Sequence, residues 1–378
     1  MPEGPGVTGP AAPAAGPAGR GTLHADDALD ALALEAAVAH RVPGVAVGVV
    51  SPSGLRVGVA GVAAAGEGPP MTADHAANWF SMTKIATATA AVALASRGAL
   101  DLDEPVGTFL GEAWPPAFAE VRVRHLLSHS SGLANPLPIR WVHRPDQPRP
   151  PAATFLASQL ARQRRPRFPA GARAAYSNIG YLALGEVLAA AVGRPIEQVV
   201  GDEVLTPLGM TRTSWSWADR PPGPRMVAHH PMRRPTELVV RRLLPRGIVG
   251  ERHGRLVSLE PFDVDGAAYG GLVGPIGDAL ALLAAHLDLP GGGAPILSGA
   301  ARRAMRTVEA TGRDTDAGLG WLRPHDARGS RRLHFGGGMG YWHVLVIDPE
   351  RAQGACVLSN TGRRWDLVSL ADRAMDLV

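Results

Sequence analysis

Lysine and cysteine are almost absent from this sequence. A single lysine, Lys84, stands among 38 basic residues, so the other 37 are arginine. The only cysteine, Cys356, excludes an internal disulfide and a cysteine-rich metal site. Its apolar flanks in "GACVLSN" predict a buried, unreactive thiol. No run of about 18 apolar residues occurs, which argues against a membrane-spanning helix.

Metal ligands and nucleic-acid contacts are also not indicated. The thirteen histidines show neither a His-x-x-x-His pair on a helical face nor pairing with acids at ligand spacing, so we expect no metal and no cofactor. The net charge is only +4, and the arginine pairs are scattered along the chain among acidic residues. A solvated surface explains this pattern better than a nucleic-acid site does. We expect neither nucleic acid nor membrane as a partner.

The first residues, "MPEGPGVTGPAAPAAGPAGRG", lack a basic start followed by an apolar stretch, and their prolines and glycines block a helix. Residues 1–22 are therefore predicted to be a disordered leader rather than a secretion signal. On this basis the expected location is the cytoplasm. Residues 23–378 are predicted to form a single unit.

The rest of the chain alternates between β-rich and helical patterns, without repeats. A hairpin is predicted around the turn "SPSG", and a second hairpin, "WHVLVID-PERAQG-ACVLSN", near the end. A helix is expected in "VRHLLSHSSGL", ending at Gly132, whereas 133–170 reads as a long loop and 219–250 as a Pro/Arg-rich stretch without periodicity. Other helices are predicted at 25–42, directly after Ser81, and at 178–193, 277–289 and 366–377.

Strands near both termini with helices between them indicate an α+β fold. The simplest packing is an antiparallel sheet built from the two ends of the chain, flanked by the terminal helices. An α/β part would cover about 23–118 and 255–378, and an inserted, mostly helical part about 119–254.

The lone lysine raises a chemical question, because it follows Ser81 by three residues in "FSMTKIAT". A guanidinium keeps its proton at every accessible pH, whereas a buried amine can lose one. Positions i and i+3 share a helical face, so Lys84 can reach the hydroxyl of Ser81 and activate it. The alternative is a chance spacing, and this pair alone leaves both interpretations open.

Two further segments carry polar side chains at suggestive positions. "AAYSNIGY" places Tyr176 and Asn178 just before a helix, and "RLHFGGGMGYW" places His334, Gly336 and Gly337 at the end of a strand. Taken singly, Tyr176 and Asn178 could be helix-entry residues beside a Ser177 cap, and the glycines a simple turn.

Together the three segments resemble the Ser-x-x-Lys, Tyr-x-Asn and Lys/His-x-Gly motifs of the penicillin-recognising serine hydrolases, in their class C β-lactamase-like branch. The resemblance includes the flanks "YSNIGYLALGEVL", "PLGMTRTSW" and "GGLVGPIGDAL" and runs from about residue 25 to 378. It implies a β-lactamase/transpeptidase-like fold.

The resemblance also implies the roles of the site residues. Ser81 would be the nucleophile, and Lys84 and Tyr176 would share the base and acid roles in an order left open. Asn178 would hold Lys84 and the substrate. His334 and Gly336 would form the third side of the cleft, and the backbone N–H groups of Ser81 and Gly337 the oxyanion hole.

Two departures from the motif bear on the substrate. His334 replaces the usual lysine and Phe335 a small hydroxyl residue, so a substrate carboxylate would be held poorly. This form resembles the esterase, D-amino-acid amidase and acyltransferase members. We therefore expect hydrolysis of a carboxylic ester or small amide through an acyl-enzyme, without metal or cofactor. The alternative is transfer of the acyl group to an amine or alcohol in secondary metabolism. A β-lactamase, a D,D-peptidase or a silent binding protein is less favoured.

Three histidines and one long segment complete the expectations. His129 in "SHSSG" is interpreted as part of a structural turn, and His229 and His230 as loop residues. Residues 133–170 are the candidate lid over the cleft.

Overall fold

The computed structural model describes residues 21–325 and 329–378, so nearly all of the predicted leader at 1–22 lies outside it. The strands are β1 (Leu23–Ala25), β2 (Gly44–Ser51), β3 (Gly54–Gly61), β4 (Ala77–Asn78), β5 (Val142–His143), β6 (Ala228–Pro231), β7 (Val249–His253), β8 (Leu256–Leu259), β9 (Asp263–Val264), β10 (Val273–Gly274), β11 (Thr315–Ala317), β12 (Leu322–Pro324), β13 (Arg332–Gly338), β14 (Tyr341–Asp348) and β15 (Gln353–Ser359).

The α-helices are α1 (Asp27–His40), α2 (Thr83–Ser96), α3 (Val106–Leu110), α4 (Val123–Leu127), α5 (Ala152–Leu160), α6 (Asn178–Val192), α7 (Ile196–Val200), α8 (Arg234–Leu243), α9 (Ala267–Gly270), α10 (Ile276–Leu287), α11 (Gly299–Arg306) and α12 (Leu367–Asp376). Short 3-10 turns cover Phe80–Met82, Gly111–Ala113 and Pro116–Phe118, and a π-turn covers Gly201–Leu205.

The main sheet joins the two ends of the chain, as predicted. Its strand order is β1-β3-β2-β15-β14-β13-β12-β11, and every pairing is antiparallel except that of β1 with β3. The N-terminal strand β2 pairs with the C-terminal strand β15, with Val47 opposite Val357. Both predicted hairpins, β2–β3 and β14–β15, are present. The α+β, β-lactamase/transpeptidase-like fold is confirmed.

Strand β2 is buried along its whole length and apolar up to Ser51, because both of its faces are covered. Ala46 and Val50 belong to the larger hydrophobic cluster, whereas Val45, Val47 and Val49 pack in a second cluster with α1 and α12. Side chains alternate between the two faces of a strand, so a strand buried on both reads as a continuous hydrophobic run. The terminal helices therefore cover one face of the sheet, and α10 packs on the other.

Three predictions in the middle of the chain differ from the structure. The helix in "VRHLLSHSSGL" ends at Leu127 rather than Gly132, because His129 has a φ of 55° and Ser128 Oγ donates to the carbonyl of Arg124 at 2.8 Å. The stretch 219–250 contains β6 and the helix α8 instead of lacking regular structure. The predicted loop 133–170 carries the short strand β5 and the helix α5.

Cys356 is buried, as expected, and burial raises the pKa of its thiol. Among the described residues, no single helix is both long enough and apolar enough to cross a membrane; by those two measures alone, the bent pair Asn178–Val192 and Ile196–Leu205 passes.

Candidate active site

Ser81 lies in a constrained turn at the start of a buried helix. The 3-10 turn Phe80–Met82 leads directly into α2, and Phe80 has a φ of 46°. A bulky residue rarely adopts this left-handed conformation, which costs on the order of 1–3 kcal/mol and needs support from its surroundings. Trp79 supplies such support, because its buried indole donates to the carbonyl of Gly274 at 3.1 Å. The turn presents Ser81 to a cavity.

Lys84 is fully buried and makes three hydrogen bonds. Its Nζ is 3.0 Å from Ser81 Oγ, 2.9 Å from Asn178 Oδ1 and 2.8 Å from the backbone oxygen of Tyr269. The three partners come from the turn before α2, the start of α6 and α9. The predicted contact between the solitary lysine and the serine is present.

The three oxygen atoms around Lys84 Nζ can hold the amine in either charge state. Asn178 Oδ1 and the Tyr269 carbonyl only accept hydrogen bonds, so a neutral –NH₂ donates to both and turns its lone pair toward the Ser81 hydroxyl. Desolvation by burial lowers the pKa of Lys84 well below its ordinary value of 10.5. The amine is thereby placed to receive a proton from Ser81.

Tyr176 approaches the same hydroxyl from the segment before α6. Burial raises the pKa of its phenol above the ordinary value of 10.0, and a hydrogen bond to Ser81 acts in the opposite direction. Lys84 Nζ lies 4.9 Å from the centre of the Tyr176 ring. Ser81 is thus flanked by two groups that can carry its proton.

Asn178 is the first residue of α6, directly after the cap. Ser177 Oγ accepts from the backbone N–H of Gly180, which fixes the start of the helix. The Asn178 backbone N–H donates to Asn135 Oδ1 at 3.0 Å, while its side-chain oxygen accepts from Lys84. Ser177 is indeed a cap, and Asn178 in addition contacts the lysine.

Strand β13 forms the opposite side of the site and lies directly against the serine turn. A side chain on Gly336 would collide with the backbone oxygen of Trp79 and come within 2.8 Å of Met82 Cγ. A side chain on Gly338 would enter the ring of Phe80. Strand β13 pairs with β12 only at Leu333, opposite Leu322. The rest of this edge of β13 faces the cavity. Glycine is required here for close approach of the two backbones.

His334 is buried and uncharged. Its Nδ1 donates to the carbonyl of Phe335 at 2.8 Å, since a carbonyl can only accept. Burial lowers the pKa of His334 from 6.5 to about 3, and Lys84 acts in the same direction. Its other nitrogen, Nε2, has no hydrogen-bond partner among the described residues. A neutral ring therefore stands at the position where a lysine would supply positive charge.

The predicted residues surround one cavity of about 830 Å³. Five of them line it: Ser81, Tyr176, Asn178, His334 and Gly337. Lys84 and Gly336 are buried directly behind this lining. The remaining walls are mostly apolar and come from Phe80, Leu137, Pro138, Ile139, Trp141, Val142, Met232, Val240, Val264, Tyr269, Leu322, Phe335, Met339, Tyr341 and Trp342, with His230, Gly338, Gly362 and Arg364.

The candidate lid contributes one of these walls. Residues 137–139, 141 and 142 line the cavity, and Trp141 packs edge-on against Tyr269 and Phe155 with ring centres 5.6 and 5.3 Å apart. The lid segment is thus anchored next to α9, whose backbone binds Lys84.

The expectation for the paired histidines is wrong. His229 and His230 lie on strand β6 rather than in a loop, and His229 is fully buried. Its Nε2 accepts from the backbone N–H of Ala65 at 3.0 Å, and its Nδ1 donates to the carbonyl of Asn360 at 3.1 Å. His230 lines the cavity. His129 does occupy a turn, as predicted, but it also packs on Tyr176 with ring centres 4.4 Å apart.

Several site residues escaped the sequence reasoning. Tyr269 binds Lys84 through its backbone oxygen, and Arg364 lies at the cavity with its guanidinium 5.3 Å from the ring of Trp342. No local pattern in "GAAYGG" shows that a backbone carbonyl there binds Lys84. Nor does any local pattern distinguish Arg364 from the other arginines as a residue at the cavity.

The fold is that of the penicillin-recognising serine hydrolases. The chain belongs to the Beta-lactamase family, whose model matches residues 29–378.

Known relatives of this chain include hydrolases of different specificity. It is 29% identical to esterase EstB of Burkholderia gladioli over 341 residues, covering 80% of this chain and 81% of that protein. It is 28% identical to penicillin-binding protein 4 of Amycolatopsis lactamdurans, covering 50% of this chain and only 47% of that protein. The D-amino acid amidase of Ochrobactrum anthropi SV3 superposes with a TM-score of 0.72 at 21% identity, covering 93% of this chain and 98% of the amidase.

Proposed function

We propose that the protein is a serine hydrolase that cleaves an uncharged carboxylic ester or small amide through an acyl-enzyme on Ser81. The observation that carries this proposal is the 3.0 Å contact between Ser81 Oγ and the fully buried amine of Lys84. A free hydroxyl is a weak nucleophile at neutral pH, and an adjacent base is the usual means of activating it.

The proposed reaction begins with Lys84 as the base. Its lone pair takes the Ser81 proton while Oγ forms a bond to the substrate carbonyl carbon. The backbone N–H groups of Ser81 and Gly337, which both line the cavity, would stabilise the developing oxyanion. The intermediate then collapses, the bond to the leaving group breaks, and the leaving group takes a proton from Tyr176. Burial keeps this phenol protonated, so it holds a proton to give. Lys84, protonated in the first step and 4.9 Å from the centre of the Tyr176 ring, would stabilise the phenolate that forms.

Deacylation follows by the same groups in reverse. A water molecule gives a proton to the Tyr176 phenolate as its oxygen attacks the acyl carbon, and the bond to Ser81 Oγ breaks. Ser81 Oγ regains its proton from the protonated Lys84, and the free acid leaves. General acid–base catalysis of this kind typically contributes 10²- to 10⁴-fold.

The walls of the cavity favour an uncharged, apolar acyl group. His334 is neutral, and Phe335 stacks on Trp342 with ring centres 4.9 Å apart, so neither provides a partner for a carboxylate near the scissile bond. A buried carboxylate without a partner is costly. This argues against β-lactams and peptide termini as substrates.

Charge on the substrate should therefore matter. We expect an uncharged aryl ester to acylate the enzyme at least about tenfold faster than a matched ester with a carboxylate next to the scissile carbonyl, a difference of about 1.4 kcal/mol. Arg364 at the cavity is exposed and would assist an anion only through a screened interaction. Measuring both rates at low and high salt separates its contribution. Faster acylation by the anionic ester at high salt would contradict the proposed substrate class.

Covalent labelling tests the proposed function directly. Incubation with an activated aryl ester should add one acyl mass to the wild-type protein and none to Ser81→Ala, as read by intact-protein mass spectrometry. Ser158→Ala is the matched control, because this exposed serine lies on α5 away from the cavity lining. It should be labelled like the wild type. Labelling that persists in Ser81→Ala would exclude the acyl-enzyme on Ser81.

The same experiment addresses acyl transfer as the second candidate function. A cavity of about 830 Å³ with mostly apolar walls has room for an acyl group together with an acceptor. Exclusion of water by a bound amine or alcohol would turn hydrolysis into transfer. The products are therefore analysed with and without added amine: the free acid as main product supports hydrolysis, and an amide that dominates at low amine concentration supports transfer.

A further inference from the structure

We infer that His129 is a positioning residue that holds Tyr176 in place to protonate the leaving group. This inference rests on the role of Tyr176 in the proposed function. Tyr176 itself lies in an irregular segment, residues 173–177, which has neither helix nor strand. A catalytic side chain on such a segment needs an external support if it is to stay within about 0.5 Å of its productive position.

His129 contacts the chain on both sides of Tyr176. Its backbone oxygen accepts from the N–H of Ala175 at 2.8 Å, and its ring nitrogen Nδ1 accepts from the N–H of Ser177 at 3.2 Å. The imidazole also packs on the phenol ring, with centres 4.4 Å apart and planes at 38°. One residue therefore fixes the backbone before and after Tyr176 and one face of its ring.

The conformation of His129 is unusual in a way that serves these contacts. Its φ of 55° lies in the left-handed region, and the side chain is only 2% exposed. Such a strained, buried position points to a specific requirement on the direction of the side chain. The neighbouring turn extends the support, because the carbonyl of Ser130 accepts from Gly171 and that of Gly132 from Arg167.

The ring must be neutral to do this. Nδ1 can accept from Ser177 only while it keeps its lone pair, which places the single ring proton on Nε2. Burial, together with Lys84 and His334, lowers the pKa of His129 well below its ordinary value. Burial and the neighbouring basic groups thus favour the neutral ring that this hydrogen bond requires.

A double-mutant cycle distinguishes positioning from a general structural role, with the rate of acylation of Ser81 as the readout. We expect Tyr176→Phe to lower this rate about 100-fold, and His129→Leu to approach the same loss. In the Tyr176→Phe background, His129→Leu should cause almost no further loss, because the group that it positions is already gone.

Two comparison variants sharpen the cycle. His129→Asn keeps an acceptor at the position of Nδ1 and tolerates the left-handed backbone, so it should retain most of the rate. His286→Leu removes another buried histidine, which bonds to Thr89 and Trp321 away from the site. If His286→Leu lowers the rate of acylation, it should do so by the same factor in the wild-type and Tyr176→Phe backgrounds. If His129→Leu does not fold, His129→Gln, whose amide stands one carbon farther out, takes its place in the cycle.

The possible outcomes separate this inference from the proposed function. If His129→Leu lowers the rate by the same factor in both backgrounds, His129 is merely structural and the inference is wrong, while the role of Tyr176 stands. If Tyr176→Phe acylates as fast as the wild type, the role of Tyr176 is wrong and the inference falls with it. Near-complete loss of the His129 effect in the Tyr176→Phe background, with rescue by His129→Asn, supports the inference.

Discussion

Replacing Lys84 by methionine should slow acylation of Ser81 by roughly 10³-fold. Methionine matches the length of lysine and keeps the site uncharged, but it has no lone pair that takes a proton from a hydroxyl. Lys84→Arg provides the complementary variant, since it keeps a cation that never gives up its proton. Both variants should lose activity in the labelling assay. Near wild-type acylation by Lys84→Arg would refute the role of Lys84 as base.

The same substitution should affect stability differently at different pH values. Burial holds the folded pKa of Lys84 below the unfolded value of 10.5, so between these two pKa values the unfolded chain binds one proton more than the folded chain. The free energy of unfolding of the wild type relative to Lys84→Met should therefore rise with pH in that window, by about 1.4 kcal/mol per unit. The rise should stop near 10.5.

Chemical denaturation of both proteins from pH 6 to 10 measures this slope. Taking the difference between the two proteins cancels the titration of the buried phenols and of Cys356, which both share. A difference that does not change with pH would mean that Lys84 stays protonated in the folded protein, in conflict with its proposed role as base.

The parts of the site that share one helix turn were accessible from the sequence. Ser81 and Lys84 are three residues apart on a buried helical segment, a spacing that allows contact, and the motif resemblance favours this interpretation over a chance spacing. The rarity of lysine made the pair conspicuous among 37 arginines. Tyr176 and Asn178 needed the motif resemblance, because nothing local in "AAYSNIGY" indicates which distant residue they face.

The third acceptor of Lys84 could not be predicted. The carbonyl of Tyr269 is a backbone group, and every residue carries one, so its role depends only on how α9 packs behind the serine turn. Val240 and Arg364 line the cavity for the same reason, namely the way in which distant segments pack together. Tertiary packing brings these residues together across large separations in sequence.

Helix α8 was missed for a local reason. The stretch 219–250 is rich in proline and arginine and lacks clear periodicity, and Pro235 lies inside the helical sequence "RRPTELVVRRL". Proline is tolerated in the first turn of a helix, where its missing N–H would have no partner in any case. Glu237 then bonds to Arg241 one turn later and to Arg252 on β7, and these ion pairs hold the helix. Val240 of this helix reaches the cavity.

The strained backbone at Phe80 and His129 shows how the fold accommodates the site. Both residues adopt positive φ values: Phe80 directly precedes Ser81, and His129 packs on Tyr176, which hydrogen-bonds to Ser81. Ordinary propensities disfavour both conformations. Unfavourable backbone conformations of this kind concentrate where a side chain must point in a particular direction. The packing of the sheet and of α10 offsets their cost in stability.

Adding one methyl group to Gly336 should disrupt the contact between β13 and the serine turn. In Gly336→Ala the new Cβ would collide with the Trp79 backbone oxygen and lie 2.8 Å from Met82 Cγ. The strand must then move away from the Phe80–Met82 turn, and the N–H of Gly337 moves with it. We expect kcat for ester hydrolysis to fall by about 10²- to 10³-fold, the usual loss when one oxyanion donor is displaced. Overpacking should also lower the free energy of unfolding by roughly 1–3 kcal/mol.

Gly201→Ala is the matched control, because a Cβ there would meet nothing within 4 Å and the φ of Gly201 is −55°. It should leave kcat unchanged and stability equal to or slightly above that of the wild type. Because the displaced N–H acts on charge that develops in the transition state, Gly336→Ala should lower kcat much more than it raises KM. A Gly336→Ala protein with unchanged kcat would show that the close contact of β13 with the serine turn is not needed for catalysis, and the oxyanion site would then have to lie elsewhere in the cavity.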